Sequence, residues 1–407
     1  MINLKNTSIW LEEINYIPSE ELKDNIDVDV LIIGGGITGI STAYHLKDSN
    51  LKVCLVEKNI IGHGVTARTT GKLTYLQELI YSDLTKEYNK ETAKLYLKAQ
   101  INAIKMIENI IKKNNIDCDY EKVPSYLFTL NESKVNKIKE EKELLEEFEI
   151  SVIEHNKLPD KTKALYAIEV KDTAVFHPLK YLISLKNVCE KKGIAFYENT
   201  KVLEINKEDV FICKTNKNTI RAKKVVLALH YPYFLFPFLM PFKTHLEKSY
   251  IVATQENNKK FSAITSKNPT LSIRYTNNNK KDYKLILTNS HNIAFKNNDS
   301  KNFAELLNKI DKKPCFVWSN KDIMTNDKLP YIGELEKDLY IGTGYNTWGM
   351  TNGSLAGKIL SDLILKKENI YQELFNPKRH LTVNSFLNFP IDMVSNIKSF
   401  FGSKINK

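Results

Sequence analysis

VDVLIIGGGITG, residues 28–39, carries an apolar run straight into three spaced glycines. Only Asp29 interrupts Val28 to Ile33, which suits a strand covered on both faces. Gly34, Gly36 and Gly39 follow in the pattern Gly-x-Gly-x-x-Gly. The first permits a tight turn, the second lets backbone approach a pyrophosphate, and the third lets a helix lie close on the sheet. Ile40 to Leu46 continues as that helix, whose N-terminal amides, at Ile37 and Thr38, face the phosphates. A second strand, Lys52 to Glu57, contains VCLV and ends on an acid 21 residues beyond Gly36. A carboxylate there accepts hydrogen bonds from an adenosine ribose and disfavours a 2′-phosphate, so NADP is not expected. A lone glycine pattern is weak, but this order of strand, glycines, helix, strand and acid specifies a dinucleotide site.

Outward from this unit the chain alternates. Residues 1–27 form a polar lead with apolar anchors at Ile9 and Trp10 and a turn at Pro18-Ser19. Two amphipathic helices are predicted near Leu84 to Asn114 and Ser133 to Phe148. Strands are predicted at Tyr126 to Leu130 and Ala164 to Val170, then a helix from Pro178 to Gly193 with His177 at its start, and a strand at Val225 to Leu229. YFLFPFLMPF, residues 233–242, is too short to span a bilayer and reads as an entrance loop or pocket wall. Residues 248–290 read as strands joined by polar turns, one with its tip at Asn277-Asn278-Asn279. A strand at Leu339 to Thr343, a glycine turn and a helix from Thr351 to Leu365 complete the pattern. The expected fold class is therefore α/β: a Rossmann-type nucleotide-binding domain with an inserted, β-rich substrate domain. Residues 20–118, 176–230 and 326–380 are assigned to the first, 119–175 and 231–325 to the second, and 381–407 to a tail whose apolar face docks on the body.

A chain of 407 residues with 42% hydrophobic content buries a sizeable core, which excludes disordered and collagenous classes. It has no uncharged apolar stretch of 18 residues and no signal-peptide pattern, so a cytoplasmic protein without stable membrane insertion is expected. The net charge of +11 invites a nucleic-acid reading. Against it, only four of the 59 basic residues are arginine, and no basic block alternates with stacking aromatics. The five cysteines are scattered, so neither a metal site nor a disulfide framework is expected.

Two further stretches bear on the choice between flavin and nicotinamide. GHGVTARTTGK, residues 62–72, is a small-residue loop with three threonines and Arg68, suited to pyrophosphate and ribityl oxygens. YIGTGYNTWGMT, residues 340–351, leads into a helix whose N-terminus would stabilise negative charge on a reduced flavin. An NAD-linked dehydrogenase is the competing reading at this point.

In these residues the chain resembles the D-amino-acid oxidase and glycine oxidase superfamily of FAD-dependent oxidoreductases. More narrowly it is similar to a bacterial branch whose longer members append a Rieske iron-sulfur domain. The resemblance rests on VDVLIIGGGITGISTAYHL, GVTARTTGKLT, FHPLKYL, LPYIG, YIGTGYNTWGMTNG and SDLI, in blocks between residues 10 and 380. It implies that Gly34, Gly36, Gly39 and Glu57, with Ile37, Thr38 and Lys58 beside them, hold the ADP half. Val202 would contact the adenine side, Arg68, Thr69 and Thr70 the pyrophosphate and flavin, and Gly344, Gly349, Met350 and Thr351 the flavin ring. No histidine stands where some relatives attach FAD, so non-covalent FAD is implied. Arg274 would pair with a substrate carboxylate. No Cys-x-His pair follows Cys315, so a Rieske cluster is not expected and electrons would pass to oxygen or a separate acceptor. The implied reaction is oxidation of an amine or amino-acid C–N bond by hydride transfer to flavin N5, with imine hydrolysis and no indispensable protein base. A flavin-binding scaffold without turnover is the non-enzymatic alternative.

Overall fold

The computed structural model describes residues 4–230, 243–266, 270–292, 299–308, 310, 312–380 and 382, with the side chains of 289–292 excepted. The aromatic run 233–242 and nearly all of the tail after His380 lie outside them, so the readings placed on those segments do too.

Ile26–Ile33 is the centre of the parallel part of an eight-stranded sheet. Val53–Val56 and then Ala195–Tyr197 lie on one side of it, and Thr219–Leu227 and then Leu339–Thr343 on the other. Its near-continuous apolar character has a direct cause: Val30 and Ile32 enter one buried cluster, Leu31 and Ile33 another. The helix Ile37–Leu46 follows the glycines and packs against Gly349–Ile364 and Pro178–Glu190. Neighbours added on both sides of Ile26–Ile33 create the crevice in which a nucleotide binds in sheets of this kind.

A second, mostly antiparallel sheet of eight strands joins Ser125–Thr129, Lys163–Val170 and Ile153–Lys157 to five strands from residues 244–325. Two of these, Leu271–Asn278 and Lys281–Asn292, form a hairpin whose tip is Asn279-Lys280, at φ 49° and 61°. The tip therefore keeps Asn279 of the three asparagines expected to form it and extends to Lys280, while Asn277 and Asn278 stay in the strand, where Asn278 is buried and donates through Nδ2 to the Ile9 carbonyl at 2.7 Å. The expected α/β class, a Rossmann-type sheet with a β-rich second sheet, is what the chain adopts.

The helix expected near Leu84 to Asn114 is two helices, Ile80–Glu87 and Lys90–Lys113. Asn89 separates them: its side chain accepts from the Thr92 amide at 2.8 Å and starts the second helix. His177 likewise caps the helix beginning at Pro178, its Nδ1 accepting from the Lys180 amide at 3.1 Å. All five cysteines are buried and unpaired, and burial pushes the Cys54, Cys118, Cys189 and Cys213 thiols up to about 12. Among the described residues no helix is long and apolar enough to cross a membrane, and no His, Cys, Asp and Glu cluster suits a metal.

Candidate functional site

The glycine turn is built against the sheet. Gly34 has φ +114°, and a Cβ there would lie 2.4 Å from the Ala228 carbonyl oxygen. A Cβ on Gly39 would lie 2.0 Å from the Gly34 oxygen, so the third glycine is required by packing alone. Gly36 differs, since a Cβ there meets only Thr66 Oγ1, at 3.4 Å. A Cβ at Gly36 thus meets no close contact among the described residues, and the open space beside it fits a ligand's approach. As N-cap, Gly36 offers no side chain to the helix Ile37–Leu46, whose first turn faces that space; the Ile37 amide donates to Thr66 Oγ1 at 3.2 Å. Glu57 follows its strand and accepts from the Gly35 amide at 2.8 Å and the Asn59 amide at 3.0 Å. Lys58 is exposed beside it, and Val202 begins a strand two residues after Thr200, whose amide donates to the Glu57 carbonyl at 2.9 Å.

The loop 62–72 is held from beneath. Arg68 donates to the carbonyls of His63 and Gly64, closing the loop on itself. The indole N–H groups of Trp10 and Trp318 donate to the carbonyls of Thr69 and Arg68 at 2.7 and 3.1 Å. Arg274 completes this support, which corrects the expectation placed on it. Its guanidinium lies 4.9 Å from the Trp10 ring and donates to the carbonyls of Thr70 and Phe176, while Nε reaches the Tyr275 carbonyl. At 1% exposure it presents no fork to a substrate, and burial lowers its pKa to about 9.

The second helix N-terminus meets the first. Cβ atoms on Gly353 and Gly357 would lie 2.6 Å from Ile37 Cγ2 and 2.4 Å from Ser41 Cβ, so only glycine allows Gly349–Ile364 to lie this close to Ile37–Leu46. Tyr345 ties the two starts together through a 2.7 Å contact between its hydroxyl and Thr38 Oγ1. Trp348 provides no side-chain cap for Gly349, Met350 and Thr351, and Gly344 turns the chain beforehand with φ +74°. Two helix starts side by side, neither capped by its own N-cap side chain, favour anionic groups, which fits a dinucleotide with a flavin that gains charge on reduction.

Thr70, Trp348 and Asn346 line an open cavity that extends to Tyr96, Ser249 and Lys72. The last three were not singled out in the sequence. Lys72 is 6% exposed, and its Nζ donates to the Ala263 carbonyl at 2.7 Å and to Ser272 Oγ at 2.6 Å. Burial, with Arg274 nearby, brings its pKa down to about 7. Gln100 lies behind the wall, and its signal was available: it interrupts the apolar face of Lys90–Lys113 between Tyr96 and Ala103.

Comparison with known proteins agrees with this architecture. The family model described as FAD dependent oxidoreductase (DAO) matches residues 29–363. The putative Rieske 2Fe-2S iron-sulfur protein YhfW of Bacillus subtilis is 33% identical over 88% of this chain and 72% of its own length. Gamma-glutamylputrescine oxidoreductase of Escherichia coli is 25% identical over 86% of each chain. Glycine oxidase from Geobacillus kaustophilus has the same fold, with a TM-score of 0.72 at 16% identity over 87% of this chain and 99% of that one. With the glycine turn, the acid after the second strand and the paired helix starts in place, this chain belongs to the DAO family of FAD-dependent oxidoreductases.

Proposed function

We propose that the enzyme oxidises the C–N bond of a small amine or amino acid, yields an imine that water hydrolyses, and passes electrons to oxygen or a separate acceptor. The observation that carries this reading is the cavity that opens beside the start of the helix Gly349–Ile364 and reaches the β-rich sheet. Bound FAD supplies the hydride acceptor. Gly34, Gly36, Gly39, Ile37, Thr38 and Glu57, with Lys58 and Val202 alongside, would hold its ADP half. Arg68, Thr69 and Thr70 would flank the pyrophosphate, and Gly344, Gly349, Met350 and Thr351 the ring, without a covalent bond. The chain's own work is then to orient the substrate and favour negative charge near Gly349, and no general base is invoked. The nucleotide unit is assigned residues 20–118, 176–230 and 326–380, and the substrate unit 119–175 and 231–325.

The purified chain is expected to be yellow and to release FAD on acid precipitation. Gly36→Val should fold with an unchanged far-UV circular dichroism spectrum yet purify colourless, because the new side chain enters ligand space. Full flavin content in that variant would remove the site assignment. Anaerobic bleaching by a panel of amines and amino acids tests the reaction, and a flavin that none of them bleaches leaves the scaffold reading.

A further inference from the structure

Four buried side chains close a hydrogen-bonded circuit at the cavity wall. The Tyr96 hydroxyl donates to Gln77 Oε1 at 2.7 Å, and Gln77 Nε2 donates to Gln100 Oε1 at 3.0 Å. Gln100 Nε2 donates to Asn352 Oδ1 at 2.7 Å, and Asn352 Nδ2 returns to the Tyr96 oxygen at 3.3 Å. Such a ring can run in either sense, because turning every amide over reverses every donor. The backbone breaks the symmetry. Gln77 Nε2 also donates to the Thr74 carbonyl at 3.0 Å, and a carbonyl oxygen only accepts. Reversal would set Gln77 Oε1 against the Thr74 oxygen, so the circuit has one direction.

Gln77 and Tyr96 are the members of the circuit that line the cavity. Both N–H groups of Gln77 and the O–H of Tyr96 are committed within the protein, so these two residues offer a ligand only lone pairs. Ser249 lines the same cavity at 2% exposure, and its Oγ has no partner among the described residues. Glu247 and Asp83 add carboxylates to the lining. The cations do not offset them as anion seats. Arg274 is turned to backbone carbonyls, Lys72 donates to Ala263 and Ser272, and Lys328 stands 3.9 Å from Asp83. The lone pairs and carboxylates of this wall suit N–H donors and positive charge. The Ser249 hydroxyl can donate as well as accept and Lys72 keeps a third N–H, but among the described residues no guanidinium fork faces the cavity to hold an α-carboxylate bidentately.

We propose that the cavity selects amines lacking an α-carboxylate over α-amino acids with the same side chain, directing the amine's N–H groups to Gln77, Tyr96 and Ser249. The inference rests on the C–N oxidation reading above. It is tested on the FAD-loaded full chain under anaerobic conditions by titrating the flavin absorption with matched pairs, 1,4-diaminobutane against ornithine and butylamine against norvaline. Each amine is expected to half-saturate the spectral change at a concentration ~10–100-fold below that of its amino acid, as expected for one charge-assisted hydrogen bond. Ser249→Ala should weaken the amines about tenfold and leave FAD content unchanged, and Gln77→Leu should weaken them further. Amino acids that match or surpass their amines overturn the proposal, as does an absence of any spectral change with the amines or of any effect of Ser249→Ala. Bleaching by amino acids alone would sink this inference while sustaining C–N oxidation, whereas a flavin inert to both classes would sink that reading.

Discussion

Ser272 and Arg274 point from the same face of one strand, two residues apart, yet their surroundings divide them. Ser272 meets Lys72 at the cavity, and Arg274 lies under the Thr70 carbonyl against Trp10. Arg274→Lys keeps a charge but loses the fork that serves both Thr70 and Phe176, so at least one buried carbonyl is left without its donor. The expected cost is ~1–3 kcal/mol, seen as a lower thermal midpoint and easier loss of FAD, with amines and amino acids affected alike. Selective loss of amino-acid affinity, measured by flavin titration, would return Arg274 to the substrate site. The sequence shows an arginine in a strand that the resemblance places near substrate. It does not show that Trp10, from the opposite end of the chain, takes the guanidinium. Glu57 and the glycines were legible because their spacing is local, whereas Lys72 and Ser249 are remote in sequence and share a wall only in the fold.

Helices Ile37–Leu46 and Gly349–Ile364 work as a pair because glycine faces them at Gly353 and Gly357. Gly357→Ala would place a methyl 2.5 Å from the Ser41 backbone carbon, so the helices must separate. A loss of ~1–3 kcal/mol on denaturant unfolding is expected, with weaker FAD retention because both helix starts shift. Gly64→Ala is the control, since a Cβ there has no neighbour within 4 Å. Ile80–Glu87 is capped from outside: Glu141 accepts from the amides of Tyr81 and Ser82 at 2.9 and 2.8 Å. That long-range cap and the Asn89 break explain why one amphipathic stretch reads as a single helix in sequence and forms two. Burial raises the Glu141 carboxyl from 4.5 to about 7, so the folded state holds its proton more tightly than the unfolded chain. The contribution is full below pH 4.5 and is lost as pH rises through about 7. The stability difference between wild type and Glu141→Gln should therefore fall across that window by on the order of 3 kcal/mol, measured by urea unfolding at stepped pH. A flat difference would mean that Glu141 is ionised throughout.

On the scale of the molecule, remote segments are drawn together around the cofactor region. Trp10 supports the loop at Thr69 from the N-terminal side, and Arg379 closes the body near the C-terminal side. Arg379 forks onto Asp327 at 2.7 and 2.9 Å, donates to the carbonyls of Leu329 and Pro330, and stacks 3.9 Å over the Tyr331 ring. Asp327 is fully buried and also accepts from Tyr88, which stands at the break between the two cavity-side helices. One ion pair thus joins the last described turn, the strand Tyr331–Glu336 and the helix pair. Removing only the cation leaves a carboxylate that water cannot reach, so Arg379→Met is expected to cost ~3–5 kcal/mol. Adding Asp327→Asn should recover part of that loss, because the penalty belongs to the stranded charge more than to the lost pair. A chain ending at His380 retains the pair and is expected to keep its FAD, whereas one ending at Lys378 should unfold at lower denaturant and release it. Equal denaturant midpoints and flavin contents for the two shortened chains would show that Arg379 does not close the body, and would place the fold's C-terminal boundary before it.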